Sequence, residues 1–277
     1  MLRSLASSTL AAWLKLQRLR SCLGLKQAAR TWWHHRFDAA GQSITVRVRG
    51  VRHPLELRAR SSDLDVLMKV FADREYELPL RQMPRSILDG GANVGFAAVY
   101  YAELYPEATV VAVEPDRDNF AILQKNTAGY ASITVFEAAI WSSDTQVELE
   151  DPGMDQHAFR VGGLSQQSSA SRRTVNAMSI STLAERAHVP GFDLVKLDVE
   201  GAEREILVNA GGWIAQSQVL IAELHDRFVP GCSKQFYIAV RGFDGDYVIG
   251  ENTVAFRKGW LPDAYIEHGY WAAASMH

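Results

Sequence analysis

The sequence predicts an α/β domain built on a doubly wound, mostly parallel sheet with helices on both faces, preceded by a basic helical and β-hairpin extension. Three features point there. From residue 87 onward, strand-like apolar runs alternate with helix-like runs, the rhythm of parallel strands joined by crossover helices. A glycine-punctuated turn, DGGANVG at 89–95, stands between the first of these strands and its helix. Polar residues collect where five of the strands end, which is the side on which open parallel sheets bind ligands.

Composition sets the bounds. A chain of 277 residues that is 47% hydrophobic has the balance of a soluble globular protein with a sizeable core. Cys22 and Cys232 lie far apart and match neither a zinc spacing nor a disulfide scaffold, so packing roles in a reducing compartment are expected. The net charge of −3 hides an asymmetry: residues 1–37 carry seven bases and no acid, which leaves 22 bases against 32 acids, or −10, for the remainder. So acidic a body argues against bulk nucleic acid as a partner.

The leader carries a base near Met1 and an apolar run over 5–14, like a signal peptide, but no small-residue cleavage site follows. Its Arg-rich, Ser-containing, acid-free composition also fits an organelle transit peptide. The favoured expectation is one or two short basic helices, broken near Gly24, that pack on the body or touch an anionic membrane surface or partner. No run reaches the roughly 20 apolar residues of a membrane span, so a cytoplasmic, peripherally membrane-associated protein is expected.

Residues 43–48 and 55–60 alternate apolar and polar side chains around a Gly/Pro segment and predict a hairpin; Ser62 is placed to cap a helix over 63–72. This extension is expected to fill 1–83 and the main domain 84–277. Within the domain, strands are expected at 87–89, 109–114, 133–137, 174–180, 193–198 and 219–225, and helices at 94–104, 118–127, 182–187 and 202–210. Residues 141–151 read as strand-rich, and 234–240 as a short helix. A terminal antiparallel hairpin over 246–249 and 253–257 and an aromatic tail packed on the body complete the chain. The polar stretch 152–173 has no period; beside a ligand pocket it is expected to be a substrate lid. There Asp155, His157, Arg172 and Arg173 are solvated by default, with substrate contact as the alternative.

The strand ends carry the chemistry. Asp89, Gly91 and Gly95 give a turn that brings backbone close to a ligand at a helix N-terminus. Glu114 lies one βα unit later, where a carboxylate accepts hydrogen bonds from both hydroxyls of a ribose. A dinucleotide oxidoreductase shares that feature. Its G-x-G-x-x-G turn is missing here, however, and Asp89 would repel a pyrophosphate. An anion suits a cationic, amine-bearing ligand instead, and S-adenosylmethionine is one.

With DGGANVG, VVAVEPDRDNF and VKLDVEGAE in place, the chain resembles the FkbM family of S-adenosylmethionine-dependent methyltransferases over about residues 76–256. The departure is Gly90, where that family more often has an apolar residue. The resemblance implies a class I, Rossmann-like sheet of seven strands ending in an antiparallel strand, and methyl transfer to a hydroxyl of a small molecule, sugar or glycan. It also implies that Asp89, Gly91, Asn93 and Gly95 shape the methionine pocket, that Glu114 holds the ribose, and that Glu137 and Ala138 border the adenine.

Methylating an alcohol requires in-line positioning and removal of a proton. Strand alternation puts Lys196 with Asp198, and Glu223 with His225, on shared faces. His225 is the first choice for the base and Asp198 the second, with Lys196 orienting a carboxylate. The alternatives are a structural Lys196–Glu223 ion pair, a plain hydrogen-bonded His225, and Glu200 and Glu203 serving a helix N-terminus. No metal is assigned, although a divalent ion on Asp198, Glu223 and His225 is chemically feasible. Two other readings stand beside an O-methyltransferase. One is a catalytically silent cofactor-binding module. The other, an N-methyltransferase of protein or nucleic acid, commonly carries an N-P-P-Y-like segment where DVEG stands here.

Overall fold

Gly24, at φ 79°, interrupts the acid-free leader: in the computed structural model α1 (Leu2–Leu23) ends before it and α2 (Leu25–Phe37) begins after it. The structure describes residues 2–151, 160–162 and 171–263. The chain divides into two units, Met1–Tyr76 and Glu77–His277, where the sequence placed the boundary after residue 83.

In the first unit β1 (Ser43–Val46) pairs antiparallel with β2 (Leu55–Arg58), and α3 (Asp63–Phe71) packs against β2 and α1. The buried Asp63 organises the corner. Its carboxylate accepts from the Arg58 backbone N–H at 2.8 Å, from Nε at 2.9 Å and from Nη2 at 2.8 Å. Ser62 takes the N-cap position without a side-chain cap; Ser61 Oγ accepts the Asp63 N–H instead, at 3.2 Å. Two leader bases are used inside the unit, since Lys15 pairs with Asp65 and Arg18 with Asp73. Trp13, Leu14, Leu25, Trp33 and Phe37 are exposed. Among the described residues no helix is long and apolar enough to cross a membrane.

The second unit opens with β3 (Ser86–Gly90), α4 (Phe96–Leu104), β4 (Thr109–Glu114), α5 (Arg117–Thr127) and β5 (Ile133–Glu137). A small sheet follows, made of β6 (Ala139–Ile140), β7 (Thr145–Asp151), β8 (Arg160–Gly162) and β9 (Ser171–Met178) in the order β6-β9-β7-β8. The chain then runs through α6 (Ile180–Arg186), β10 (Leu194–Leu197), α7 (Glu203–Val208), α8 (Gly211–Ile214), β11 (Val219–Glu223), α9 (Cys232–Ala239), β12 (Gly245–Ile249) and β13 (Asn252–Phe256).

The main sheet has seven strands in the order β12-β13-β11-β10-β3-β4-β5, with β13 antiparallel to both neighbours. This is the sheet implied by the resemblance. Leu88, Val111, Val113, Val195, Leu197 and Leu220 form one face of its core with Leu183, Ile206, Leu207 and Phe236 from the helices that follow β9, β10 and β11. Each such side chain contributes about 1.5–3 kcal/mol of apolar burial. The alternate residues, among them Asp89 and Lys196, point to the opposite side, where α4 packs on β3 and β4.

Two local expectations change. The helix expected from residue 182 starts earlier, at Ile180, because Ser179 caps α6 by accepting the Thr182 N–H on its hydroxyl at 3.1 Å. The stretch 152–173 is not all loop: it contains β8 and the start of β9, which pair with or beside β7. Its remaining residues, with Asp155 and His157, lie outside the described residues, as does the tail beyond Asp263; Trp260 and Leu261 before it are buried.

Removing one partner of a buried, doubly hydrogen-bonded ion pair costs about 3–5 kcal/mol. Asp63→Ala should therefore lower the stability of the first unit by about that much. The check is urea denaturation followed by tryptophan fluorescence, since Trp13, Trp32 and Trp33 belong to this unit.

Candidate functional site

Strand order reverses between β3 and β10, so the loops leaving these two strands in opposite directions open a crevice at their carboxyl ends. Backbone chemistry makes the approach close. A Cβ on Gly91, at φ +72°, would stand 1.8 Å from the Asp198 carbonyl oxygen. Only glycine lets the two loops touch there. Gly91 and Ala92 donate their N–H groups to Val113 O at 3.1 and 3.0 Å, and Asp198 N donates to Gly90 O at 3.1 Å. The turn is thereby bonded to strands on both sides of it.

Glu114 lies on the glycine-turn side of the crevice. Buried at the end of β4, it accepts from Asn93 N through Oε2 at 2.8 Å and from Asp116 N through Oε1 at 2.9 Å. The Asn119 side chain adds a third hydrogen bond, which leaves about one of the carboxylate's roughly four acceptor sites for a ligand. Burial pushes this carboxyl up to about 7, with the nearby Asp116 charge adding to the rise and the two backbone N–H groups opposing it. Asn93 follows in the left-handed region at φ 50°, and its Oδ1 is buried without a hydrogen-bond partner. Glu137 is exposed at the end of β5, directly beside Glu114 in the strand register, and Ala138 after it is buried.

Asp89 is placed differently from the expectation of a carboxylate facing ligand. It is 0% exposed, and Lys196 Nζ stands 3.0 Å from its Oδ1. The reason is register: Asp89 and Lys196 are Cα partners on adjacent parallel strands, so their side chains share a face. Lys196 Nζ also donates to Gly91 O at 2.9 Å and lies 4.0 Å from Asp198 Oδ2. Burial pulls the ammonium down, but the carboxylates of Asp89 and Asp198 outweigh it and hold it above the usual lysine range. The Lys196–Glu223 pair considered from sequence is replaced by Lys196–Asp89.

Beyond β10 the acceptor side is built on one loop and one strand end. Glu203, at the start of α7, is buried and takes the N–H groups of Val199 and Gly201, each at 2.9 Å. It therefore serves the helix N-terminus, as one reading of the sequence had it, and it also meets His225 Nδ1 at 2.9 Å. His225, 1% exposed, turns its other nitrogen toward three carboxylates: Nε2 is 3.3 Å from Glu223 Oε1, 3.6 Å from Glu200 Oε2 and 3.9 Å from Asp198 Oδ1. Burial pushes the imidazole down, yet the bond to Glu203, the Glu223 carboxylate 3.3 Å away and the surrounding negative charge lift it to about 10. Burial raises Asp198, with Glu223 adding to the rise against Lys196, and raises Glu200 to about 7. Glu200 reaches the cluster from a left-handed backbone at φ 54°.

Lys196, Asp198, Glu223 and His225 thus converge as expected from strand alternation. Sequence reasoning missed that Glu200 joins them and that Glu203 orients the ring. It also missed Asp116, which caps α5 through Asp118 N and Asn119 N at 3.0 and 2.9 Å. The acid directly before a helical run was the available signal. Arg173 is not simply solvated, because its Nη2 lies 3.2 Å from Asp116 Oδ2 and 3.2 Å from Pro115 O, tying β9 to the loop after Glu114.

A family model described as the methyltransferase FkbM domain matches residues 89–241. Hexuronic acid methyltransferase AglP of Haloferax volcanii is 24% identical over 212 residues, covering 76% of this chain and 82% of its own. Methyltransferase 1 of Beauveria bassiana is 24% identical over 160 residues, covering 50% of this chain and 64% of its own. For Methyltransferase sdnD of Sordaria araneosa the figures are 24% over 175 residues, 51% and 66%, so the match spans just under two thirds of these two relatives. Among solved structures, Aeropyrum pernix fibrillarin is 13% identical with a TM-score of 0.38, covering 79% of this chain and 84% of its own.

Because Asp89 and Lys196 are buried against each other, Asp89→Ala should destabilise the second unit by about 3–5 kcal/mol by stranding the ammonium. The double variant Asp89→Ala/Lys196→Met should lose less than the two single variants together. Urea midpoints of the four proteins measure this; additive losses would mean that the pair is not coupled.

Proposed function

The chain belongs to the FkbM methyltransferase family, and from that premise we propose that it transfers a methyl group from S-adenosylmethionine to a hydroxyl of a small molecule, sugar or glycan. The observation that carries the cofactor half is Glu114: a buried carboxylate bonded to the glycine turn, with acceptor capacity left beside its bonds to Asn93, Asp116 and Asn119. That acceptor fits a ribose hydroxyl. The orphaned Oδ1 of Asn93, on the same turn, fits an amino group. When bound, the cofactor supplies an electrophilic methyl on a sulfonium. The protein's part is to hold it, to align the acceptor oxygen and to take the proton.

Asp198 is the residue best placed for the last task. Its side chain is 27% exposed at the crevice, with Oδ2 toward Lys196 and Oδ1 toward His225. His225, the first choice from sequence, is enclosed, with Nδ1 committed to Glu203 and Nε2 facing carboxylates, so an acceptor hydroxyl has no direct approach to it. On this reading Lys196 and His225 orient the carboxylates. A sugar acceptor has the added support that AglP is named a hexuronic acid methyltransferase.

Calorimetric titration with S-adenosylhomocysteine tests the cofactor half. Binding should strengthen as pH rises from 6 to 8, because ribose hydroxyls donate to the ionised carboxylate and Glu114 titrates near 7. The ionised fraction goes from about 10% to about 90% over that interval, roughly a ninefold gain. Asp116, Arg173 and Glu137 are other charges near Glu114, so Glu114→Gln is the control. It should bind weakly and lose the Glu114 part of the pH slope. No binding by folded wild-type protein would sink the assignment. Labelled methyl from the cofactor should then appear on hydroxyls of uronic acids or other sugars; cofactor binding without turnover on any acceptor would favour the silent module instead.

A further inference from the structure

We propose that Asp198, Glu200 and His225, with Glu223 beside them, form a binding site for one divalent cation on the acceptor side of the crevice. One donor atom from each of the three lies within 4.8 Å of the others. Around an ion bonded at about 2.1 Å, adjacent donors stand about 3.0 Å apart and opposite ones about 4.2 Å. The observed separations from His225 Nε2, 3.6 Å to Glu200 and 3.9 Å to Asp198, close to those values with small side-chain rotations.

Acidic residues alone would carry nothing; two features of His225 point to a ligand. Its Nε2 is buried, makes no hydrogen bond, and is aimed into the carboxylates. Its Nδ1 is bound to Glu203, the arrangement in which a carboxylate takes one ring proton and the other nitrogen binds a metal that displaces its proton. Glu200 Oε2 is likewise buried without a hydrogen-bond partner, and the uncommon φ of 54° at that residue is what brings it inward. The donor set is mostly carboxylate with one imidazole. It suits a hard or borderline ion such as Mn²⁺ or Mg²⁺ over a thiophilic one.

The two oxygens of Asp198 point opposite ways, Oδ2 to Lys196 and Oδ1 to His225. An ion at Oδ1 would lie beside the crevice, with coordination positions open to water or to oxygens of an acceptor. That use in positioning a hydroxyl rests on the methyl-transfer reading; the site itself does not.

The test uses the full chain, stripped with a chelator and titrated with MnCl2 while free Mn²⁺ is followed by electron paramagnetic resonance. One Mn²⁺ should bind per chain. Asp198→Asn and Glu200→Gln should each weaken binding by at least about 10-fold, and Glu203→Gln, which reaches the ion only through the ring, by about 10- to 100-fold. Glu185→Gln on the exposed side of α6 should change nothing. Thermal melts separate lost ligands from lost fold, and Asp198→Asn, partly exposed, keeps the test open if a buried variant unfolds. No saturable binding, or binding indifferent to Asp198→Asn and Glu200→Gln, overturns the proposal. Calorimetry of the metal-free protein with S-adenosylhomocysteine reports on the cofactor reading alone, so the two can fail separately.

Discussion

The ammonium of Lys196 is the charge on which both halves of the crevice depend. It reaches across the point of strand reversal to Asp89 Oδ1 at 3.0 Å and Gly91 O at 2.9 Å on the glycine-turn side, and to Asp198 Oδ2 at 4.0 Å on the other. A buried lysine is expensive without partners. Here its partners are an anion from the adjacent strand, a carbonyl of the glycine turn and the first acid of the DVEGAE loop. The cofactor turn and the acceptor carboxylates are consequently held in register by one group, and a shift in either loop would leave a charge stranded in the core.

Two other carboxylates repeat one device on the two sides of that centre. Glu114 collects the N–H groups of Asn93 and Asp116, and Glu203 those of Val199 and Gly201. Each acid gathers two otherwise orphaned donors from a loop that leaves a strand end; Glu203 also meets the His225 ring, and on the proposed reading Glu114 faces a ribose. Both loops also contain a non-glycine residue with positive φ, Asn93 and Glu200. Backbone strain of about 1 kcal/mol apiece is sustained by these bonds.

What was legible in the sequence follows from what is periodic or local. The parallel sheet could be read because β3, β4, β10 and β11 are short apolar runs at regular spacing, and the antiparallel end because two such runs sit a turn apart. The glycine turn and Glu114 were legible because their roles depend on the backbone around them. The partner of Asp89 was not legible because its environment is set by a strand more than a hundred positions away, and only the register Lys196↔Asp89 shows that its charge faces a lysine. Glu200 was missed for another reason: a residue two positions past Asp198 reaches the cluster through a left-handed backbone that no pattern announces. Likewise β8 came from a polar stretch, where pairing with β7 overrides weak propensity.

The balance of charge ties these observations to chemistry. Asp89, Asp198, Glu200, Glu203 and Glu223 surround Lys196 and His225, so the crevice is rich in negative charge and favours whatever cation enters it. Methyl transfer to an alcohol starts with one positive charge on sulfur and ends with a neutral thioether, a neutral ether and a proton. The crevice must therefore suit a cation at the start and hold a proton at the end. On the proposed reading, Asp198 would meet both needs, because burial and Glu223 raise its proton affinity while Lys196 keeps that rise in check. A carboxylate in open water would be a weaker base, and one wholly sealed in the core would be beyond the acceptor's reach. Its position at the edge of the crevice, between a lysine that fixes one oxygen and a histidine that faces the other, is the compromise this sheet builds.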